Sequence, residues 1–220
     1  VFDVSHMGEV RITGKDAYKY VSHIFCNDVT GAPDGQIFYG MMCYENGGVV
    51  DDLLVYKVNE EEYFLVINAS NIDKDFAWIQ KNAEGYDVKC ENQSEYYGEV
   101  AVQGPEAEAT LIKLLGLPLD EIPFYNFKTF AIDGEDVIIS RTGYTGEDGF
   151  EVYGSHDFTR KIWDMLMKEG VAPCGLGCRD TLRFEVGLPL YGHELTADIT
   201  PIEASLSMFA RLEKPEFIGK

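Results

Sequence analysis

Two periodicities organise this chain. Apolar residues at helical spacing, Ala17, Tyr20, Val21 and Ile24 in one stretch and Ala107, Leu111, Leu114 and Leu115 in another, predict two amphipathic helices. Runs rich in β-branched and aromatic residues, "DDLLVYKV" with "EYFLVIN" and "DVIISRT" with "GFEVYG", predict two pairs of strands. A further helix should follow each pair. Ser70-Asn71-Ile72-Asp73 opens the first with capping residues, and Phe76 and Ile79 face its core. Phe158, Ile162 and Leu166 form the matching face in the second.

The two halves echo one another. "GEVRITGKDAYKYVSHI" (residues 8–24) resembles "GEVAVQGPEAEATLIKLL" (residues 98–115), each reading as a short strand, a glycine turn and a helix. Two copies of a strand–helix–strands–helix unit, offset by about ninety residues, predict an α+β fold built by duplication. Residues 173–220 fall outside both copies and are rich in turns.

One strand breaks the pattern. In "GGVVDDLLVY" (residues 47–56), Asp51 and Asp52 interrupt an apolar run. Neighbours in a strand point to opposite faces, so Val49, Asp51, Leu53 and Val55 share one side and Val50, Asp52, Leu54 and Tyr56 the other. One carboxylate must therefore turn inward, unless the pair lies at a solvated hairpin end.

Composition narrows the function classes. With 220 residues, 45% hydrophobic and 25% charged, the chain is an ordered globular protein. It is able to bury roughly 70% of its unfolded surface, as one large domain or two small ones. A formal net charge of -20, from 38 acids and 18 bases, disfavours nucleic acid and anionic lipid as partners. No apolar run approaches the roughly 20 residues of a membrane span, and no signal peptide opens the chain. The abrupt ends at Val1 and Lys220 suggest an excised piece of a longer protein. The cysteines Cys26, Cys43, Cys90, Cys174 and Cys178 are scattered and odd in number, which predicts reduced thiols, mostly small core residues. The C-x-x-x-C spacing of Cys174 and Cys178 lacks the second ligand pair of a zinc site, so no metal is expected. Gly175-Leu176-Gly177 lacks the third glycine and preceding strand of a dinucleotide fingerprint.

Six segments in order carry a family resemblance: "FDVSHMGEV", "GGVVDDLLVY", "VQGPEA", "SRTGYTGEDGFE", "CGLGCRDTLRFE" and "LPLYGHE". Together they resemble the T-protein family, the tetrahydrofolate-dependent aminomethyltransferases of the glycine cleavage system. The resemblance runs through the whole chain. It implies the folate-binding region of that family, without its first segment and its C-terminal β-domain, and a folate held in a central channel. On this pattern residues 1–10 and 93–200 form a first, discontinuous folate-binding subdomain, and residues 11–92, joined by 201–220, a second.

The same resemblance implies a reaction. An aminomethyl group on the lipoyl arm of the H-protein passes to tetrahydrofolate, giving 5,10-methylenetetrahydrofolate and ammonia. The implied setting is the cytoplasm of a bacterium, or the mitochondrial matrix of a eukaryote. Asp52 matches the family's essential carboxylate beside folate N5, and Asp51 is left as structure. Glu151, in "GEDGFEVYG", is implied to accept from a pterin edge, Tyr144 to stack, and Arg179 to pair with folate oxygens. Tyr39 and Tyr125, at matching positions in the two copies, and Met7, Val66 and Asn68 match residues lining the channel. The bland alternatives are a salt bridge of Arg179 with Asp180 or Glu185, ordinary packing for Met7 and the tyrosines, and a structural imidazole at His6. His193 departs from the family's usual glutamine, and "LSMFARLEK" (residues 206–214) from its tryptophan-containing pattern. Two other functions compete. One is the folate-linked demethylase domain that accompanies a flavin domain in sarcosine and dimethylglycine dehydrogenases. The other is a non-catalytic folate-binding protein of iron–sulfur maintenance, whose "KGCYxGQE"-like signature is here "GLPLYGHE".

Overall fold

A computed structural model describes residues Val1–Lys220. The strands are β1 (Phe2–Asp3), β2 (Gly8–Thr13), β3 (Ile37–Cys43), β4 (Val49–Asn59), β5 (Glu62–Ile67), β6 (Lys89–Asn92), β7 (Tyr97–Gln103), β8 (Phe127–Ile132), β9 (Glu135–Ser140) and β10 (Gly149–Ser155). The helices are α1 (Ala17–Ile24), α2 (Ile72–Asn82), α3 (Ala107–Leu115), α4 (His156–Lys168) and α5 (Leu176–Glu185).

The echo in the sequence is an echo in topology. Two five-stranded sheets run in the orders β3-β4-β5-β2-β6 and β8-β9-β10-β7-β1. Position by position the copies correspond, except that the last edge strand of one follows α2 whereas that of the other opens the chain. The α+β duplication therefore holds at the level of strand order.

The chain forms two compact units, Val1–His6 with Glu95–Leu188, and Met7–Ser94 with Pro189–Lys220. These divisions differ from those expected at residues 10/11, 92/93 and 200/201. The first moves because β2 pairs with β5 from Gly8 onward, beginning with Gly8 opposite Ile67. The second moves because Ser94 Oγ accepts from Glu9 N–H at 2.9 Å. The third moves because the Val49 N–H is shared by the carbonyls of Thr196 and Ile199, each at 3.1 Å. The turn-rich region expected over residues 173–220 also contains α5.

Each sheet buries one face under its helices. In the Met7–Ser94 unit, Val10, Ile12, Leu53, Val55, Leu65 and Ile67 pack against Ala17, Tyr20, Val21 and Ile24 of α1 and Ile79 of α2. In the other unit, Val100, Val102, Ile139, Phe150 and Val152 pack against Ala107 and Leu111 of α3 and Phe158, Ile162 and Leu166 of α4. The apolar spacings in the sequence thus mark the buried helix faces correctly. Leu114 and Leu115 are packed less deeply, at the edge of the core. Val50 also joins the helix-packed core. Strict alternation assigns it to the opposite side, but a register shift between Met42 and Cys43 turns the chain at that point.

Two of the anchors that hold the segment closing the Met7–Ser94 unit lie at Lys214 and at Gly48. Lys214 is buried, and its ammonium donates to the carbonyls of Ser22 (2.9 Å), Phe25 (2.8 Å) and Asn27 (2.8 Å). It satisfies one open carbonyl in the last turn of α1, that of the C-cap Phe25 and one in the turn beyond. At the second point, backbone meets backbone at Gly48, where a Cβ would lie 1.7 Å from the Ala197 carbonyl oxygen. Gly48→Ala should therefore cost roughly 1–3 kcal/mol through enforced displacement of the 196–199 turn. Thermal unfolding checks this: a melting temperature within about one degree of wild type would contradict it.

Candidate functional site

The nine residues singled out by sequence divide between the two units. Met7, Tyr39, Asp52, Val66 and Asn68 lie in one, and Tyr125, Tyr144, Glu151 and Arg179 in the other.

In the first group the register brings residues to one face. Leu54 of β4 lies opposite Tyr39 of β3 and Val66 of β5, and Val66 lies opposite Glu9 of β2. Asp52, two residues before Leu54, shares that face, which is turned away from α1 and α2. Asp52 is half-buried and is held from two sides. The Tyr39 hydroxyl donates to its Oδ2 at 3.0 Å, and Asn68 Nδ2 donates to its Oδ1 at 2.9 Å. Tyr39 is itself braced edge-on by the Phe209 ring, with centroids 4.8 Å apart. Burial, and then the negative charge of Asp51, push Asp52 up to about 7, while the bonds from Tyr39 and Asn68 favour its ionised form. The result is a carboxyl group that both binds and releases a proton near neutral pH.

Of the two adjacent acids, Asp51 is the fully buried one. It faces α2 and accepts from Asn68 N (3.1 Å), Asn68 Nδ2 (2.9 Å) and Asn71 Nδ2 (2.8 Å). Asn71 stands at the N-cap of α2 yet makes no side-chain cap bond, contrary to the capping role its sequence suggests. Asn68 also departs from expectation. It lies one residue beyond the end of β5 (Glu62–Ile67), where its amide can reach both acids. Val66 is buried within β5, and Met7, half-buried, immediately precedes β2.

In the other unit, Glu151 on β10 is buried on the face opposite the core residues Phe150 and Val152. Its Oε2 accepts from Thr142 Oγ1 at 2.5 Å and from the Tyr153 hydroxyl at 3.3 Å. Tyr125 is near enough for the Glu151 charge, after burial, to help raise its hydroxyl to about 12. Tyr125 holds a left-handed backbone, φ 57°, in the turn before β8. Arg179 lies over the Tyr144 ring, 4.6 Å from its centroid, and its buried Nη1 has no hydrogen-bond partner. The salt bridge to Asp180 is made instead by Arg183, at 2.9 Å. The loop carrying Tyr144 is tied by Arg141, which forms a forked pair with Asp148 at 2.9 and 2.6 Å. His6 is lowered by burial and then by the Arg179 charge, with Asp3 opposing.

Several participants escaped sequence reasoning. Glu9 is fully buried, both its oxygens lack partners, and burial pushes it up to about 9. Its signal was the repeated "GEV", since Glu99 occupies the same place in the second copy and is also buried. Asp75 and Lys74 of α2 were also missed. Lys74 Nζ lies 3.0 Å from Asp75 Oδ1 and 4.5 Å from the Tyr191 ring centroid. The available signal was Asn71 and Asp75 spaced four apart, on one face of a helix start. The cysteines depart from the expected core placement. Only Cys26 and Cys43 are buried, whereas Cys178 is exposed and all five are free thiols. No group of three or more His, Cys, Asp or Glu side chains is placed to hold a metal ion.

Comparison with known proteins adds a separate line of argument. An aminomethyltransferase of Alkaliphilus oremlandii is 54% identical over 225 residues, covering 100% of this chain and 61% of that protein. One from Desulfitobacterium hafniense is 53% identical over 224 residues, with the same coverage. The chain thus spans about three fifths of the length of these curated relatives. The crystal structure of glycine cleavage system aminomethyltransferase T from Bartonella henselae superposes with a TM-score of 0.92 at 35% identity, over 99% of this chain and 60% of that one. The family model described as GCVT N-terminal domain matches residues 1–214. On that match, the chain belongs to the GCVT N-terminal domain family.

Proposed function

We propose that this chain carries the folate-binding and catalytic part of a tetrahydrofolate-dependent aminomethyltransferase of glycine cleavage. In this reading the aminomethyl group comes from a sulfur of the lipoylated arm of an H-protein, and the products are 5,10-methylenetetrahydrofolate, ammonia and the arm as its free dithiol. The chain would serve glycine catabolism and one-carbon metabolism, in the cytoplasm, as the bacterial sources of its relatives suggest. The observation that carries the reading is Asp52, a half-buried acid near neutral proton affinity, oriented by Tyr39 and Asn68.

Residues in both units suit a flat, polar ligand of this kind. Arg179 offers an unpartnered buried N–H group to an oxygen-bearing ligand, and the Tyr144 ring beneath it is a stacking surface. Glu151 presents a carboxylate able to accept from an amino group and ring N–H. We assign Met7, Tyr39, Asp52, Val66 and Asn68 as folate contacts in Met7–Ser94, and Tyr125, Tyr144, Glu151 and Arg179 as contacts in the unit containing Glu95–Leu188. Both units are accordingly folate-binding subdomains. Tetrahydrofolate, when bound, supplies the N5 nucleophile. Asp52 in its ionised form accepts the N5 proton through Oδ1 or Oδ2 and stabilises positive charge developing at the transferred carbon. Tyr39 and Asn68 keep both oxygens aimed while this happens, so no reorientation is required in the transition state.

Since the Asp52 pKa is raised to about 7, the acid is protonated below that pH and cannot accept a proton. kcat/KM for folate-dependent transfer should therefore fall about tenfold per pH unit below an acid limb near 7. Asp52→Asn should preserve folding and folate affinity but lower turnover with lipoylated H-protein at least a hundredfold, on the order of what general base catalysis contributes. A variant retaining more than about a tenth of wild-type turnover would remove Asp52 from this role.

Glu151→Gln should act differently, weakening tetrahydrofolate binding more than it slows the transfer step. One charge-assisted hydrogen bond is worth about 1.5–3 kcal/mol, or roughly a tenfold to hundredfold rise in Kd. Calorimetric titration with tetrahydrofolate measures it directly, and an unchanged affinity would dismiss Glu151 as a ligand contact.

A further inference from the structure

Asp51 has no role in the proposed chemistry, yet it is fully buried and closely supported. An isolated carboxylate in such a place would take up a proton. Here two side-chain amides and one backbone N–H converge on it, from Asn68 (3.1 and 2.9 Å) and Asn71 (2.8 Å). Three donors thus meet the two oxygens of one carboxyl group.

Asn68 is the joint between the two acids. Its Nδ2 lies 2.9 Å from Asp51 Oδ1, 2.9 Å from Asp52 Oδ1 and 3.2 Å from the Asp52 carbonyl oxygen. Turned over, the amide would set its own oxygen against two carboxylates, with no hydrogen between them. A charge on Asp51 thus decides which end of Asn68 meets Asp52.

We propose that Asp51 is a positioning residue for Asp52, its buried charge locking the Asn68 amide with nitrogen toward both acids and biasing Asp52 toward binding a proton. Its importance for turnover rests on the proposed role of Asp52 as the reacting acid. The other charged or titratable groups around the pair are Tyr39, which donates to Asp52 Oδ2 at 3.0 Å, and Asp75, Lys74 and Tyr191 on the side of α2. Asp75 is fully buried, and neither of its oxygens meets a donor in hydrogen-bonding geometry. Burial, then hydrogen bonding with Asp51 and its charge, push Asp75 up to about 10, while Lys74 opposes. At neutral pH Asp75 therefore carries a proton.

The test is a carboxyl titration of the protein by carbon NMR, with aspartate labelled at Cγ and the Asp52 signal assigned by its loss in Asp52→Asn. Asp51→Asn should move the Asp52 midpoint downward by about one pH unit or more, because the like charge removed beside it outweighs the opposite effect of a loosened Asn68 bond. Asn71→Ala leaves both acids in place but removes one donor from Asp51. Losing that donor leaves the Asp51 carboxylate less compensated, so the Asp52 midpoint should move upward by a smaller amount, and this variant stands in if Asp51→Asn fails to fold. A purely structural tie would lower the melting temperature of both variants without shifting Asp52. A midpoint unmoved in either folded variant, or moved against the direction given for it, overturns the proposal. The titration requires no turnover, so wild-type protein inactive with tetrahydrofolate and lipoylated H-protein would count against the proposed function and leave this inference standing.

Discussion

A strand sends neighbouring side chains to opposite faces, and at Asp51-Asp52 this rule splits one dipeptide between two environments. Asp51 enters the layer between sheet and helix, where a carboxylate is tolerable only with donors around it. Those donors come from the end of β5 and the start of α2, so one buried acid fastens three consecutive elements. Asp52 faces the opposite way, toward Tyr39 and Leu54, where part of it stays accessible. The same constraint that makes one acid structural leaves the other available for chemistry.

The two sheets handle polar groups alike. Their helix-packed faces are almost wholly aliphatic and aromatic, while their other faces collect acids: Glu9 and Asp52 in one, Glu99 and Glu151 in the other. Burial without partners is costly for an anion, and Glu9 answers it by remaining protonated. Glu151 is held instead by the Thr142 and Tyr153 hydroxyls. Duplicated architecture thus accommodates two different means of carrying an acid inside.

The helices and strand pairs were legible in the sequence because their periodicities serve local packing. Ala17, Tyr20, Val21 and Ile24 announce their buried face without help from the rest of the chain. The acidic dipeptide was legible as a conflict, but alternation alone could not say which acid turns inward. The answer depends on Asn68 and Asn71, which arrive from elsewhere in the sheet and from α2. Asn71 misled for a related reason. Its place before a helix suggests a cap, yet its amide nitrogen donates to the buried Asp51 carboxylate and its oxygen makes no cap bond. The pairing of Arg179 with Tyr144 was similarly out of reach, since it joins α5 to a loop more than thirty residues earlier. The family resemblance named both residues without saying that they touch.

The exchange of segments between the two units bears on the order in which the protein is made. β1 precedes the other strands along this chain but has nothing to pair with until β7 follows, since Phe2 lies opposite Ala101. The unit that starts at Met7 has its whole sheet by Asn92, yet it is sealed only when Pro189–Lys220 arrives with Lys214 and the turn beside Gly48. The first unit to assemble its strands is thus the last to be closed. Contacts so distant along the chain slow folding, because their loop entropy is lost before their energy is gained. Until that segment arrives, the carbonyls that Lys214 meets around the end of α1 and the apolar surface around Met41, Cys43 and Val49 stay uncovered.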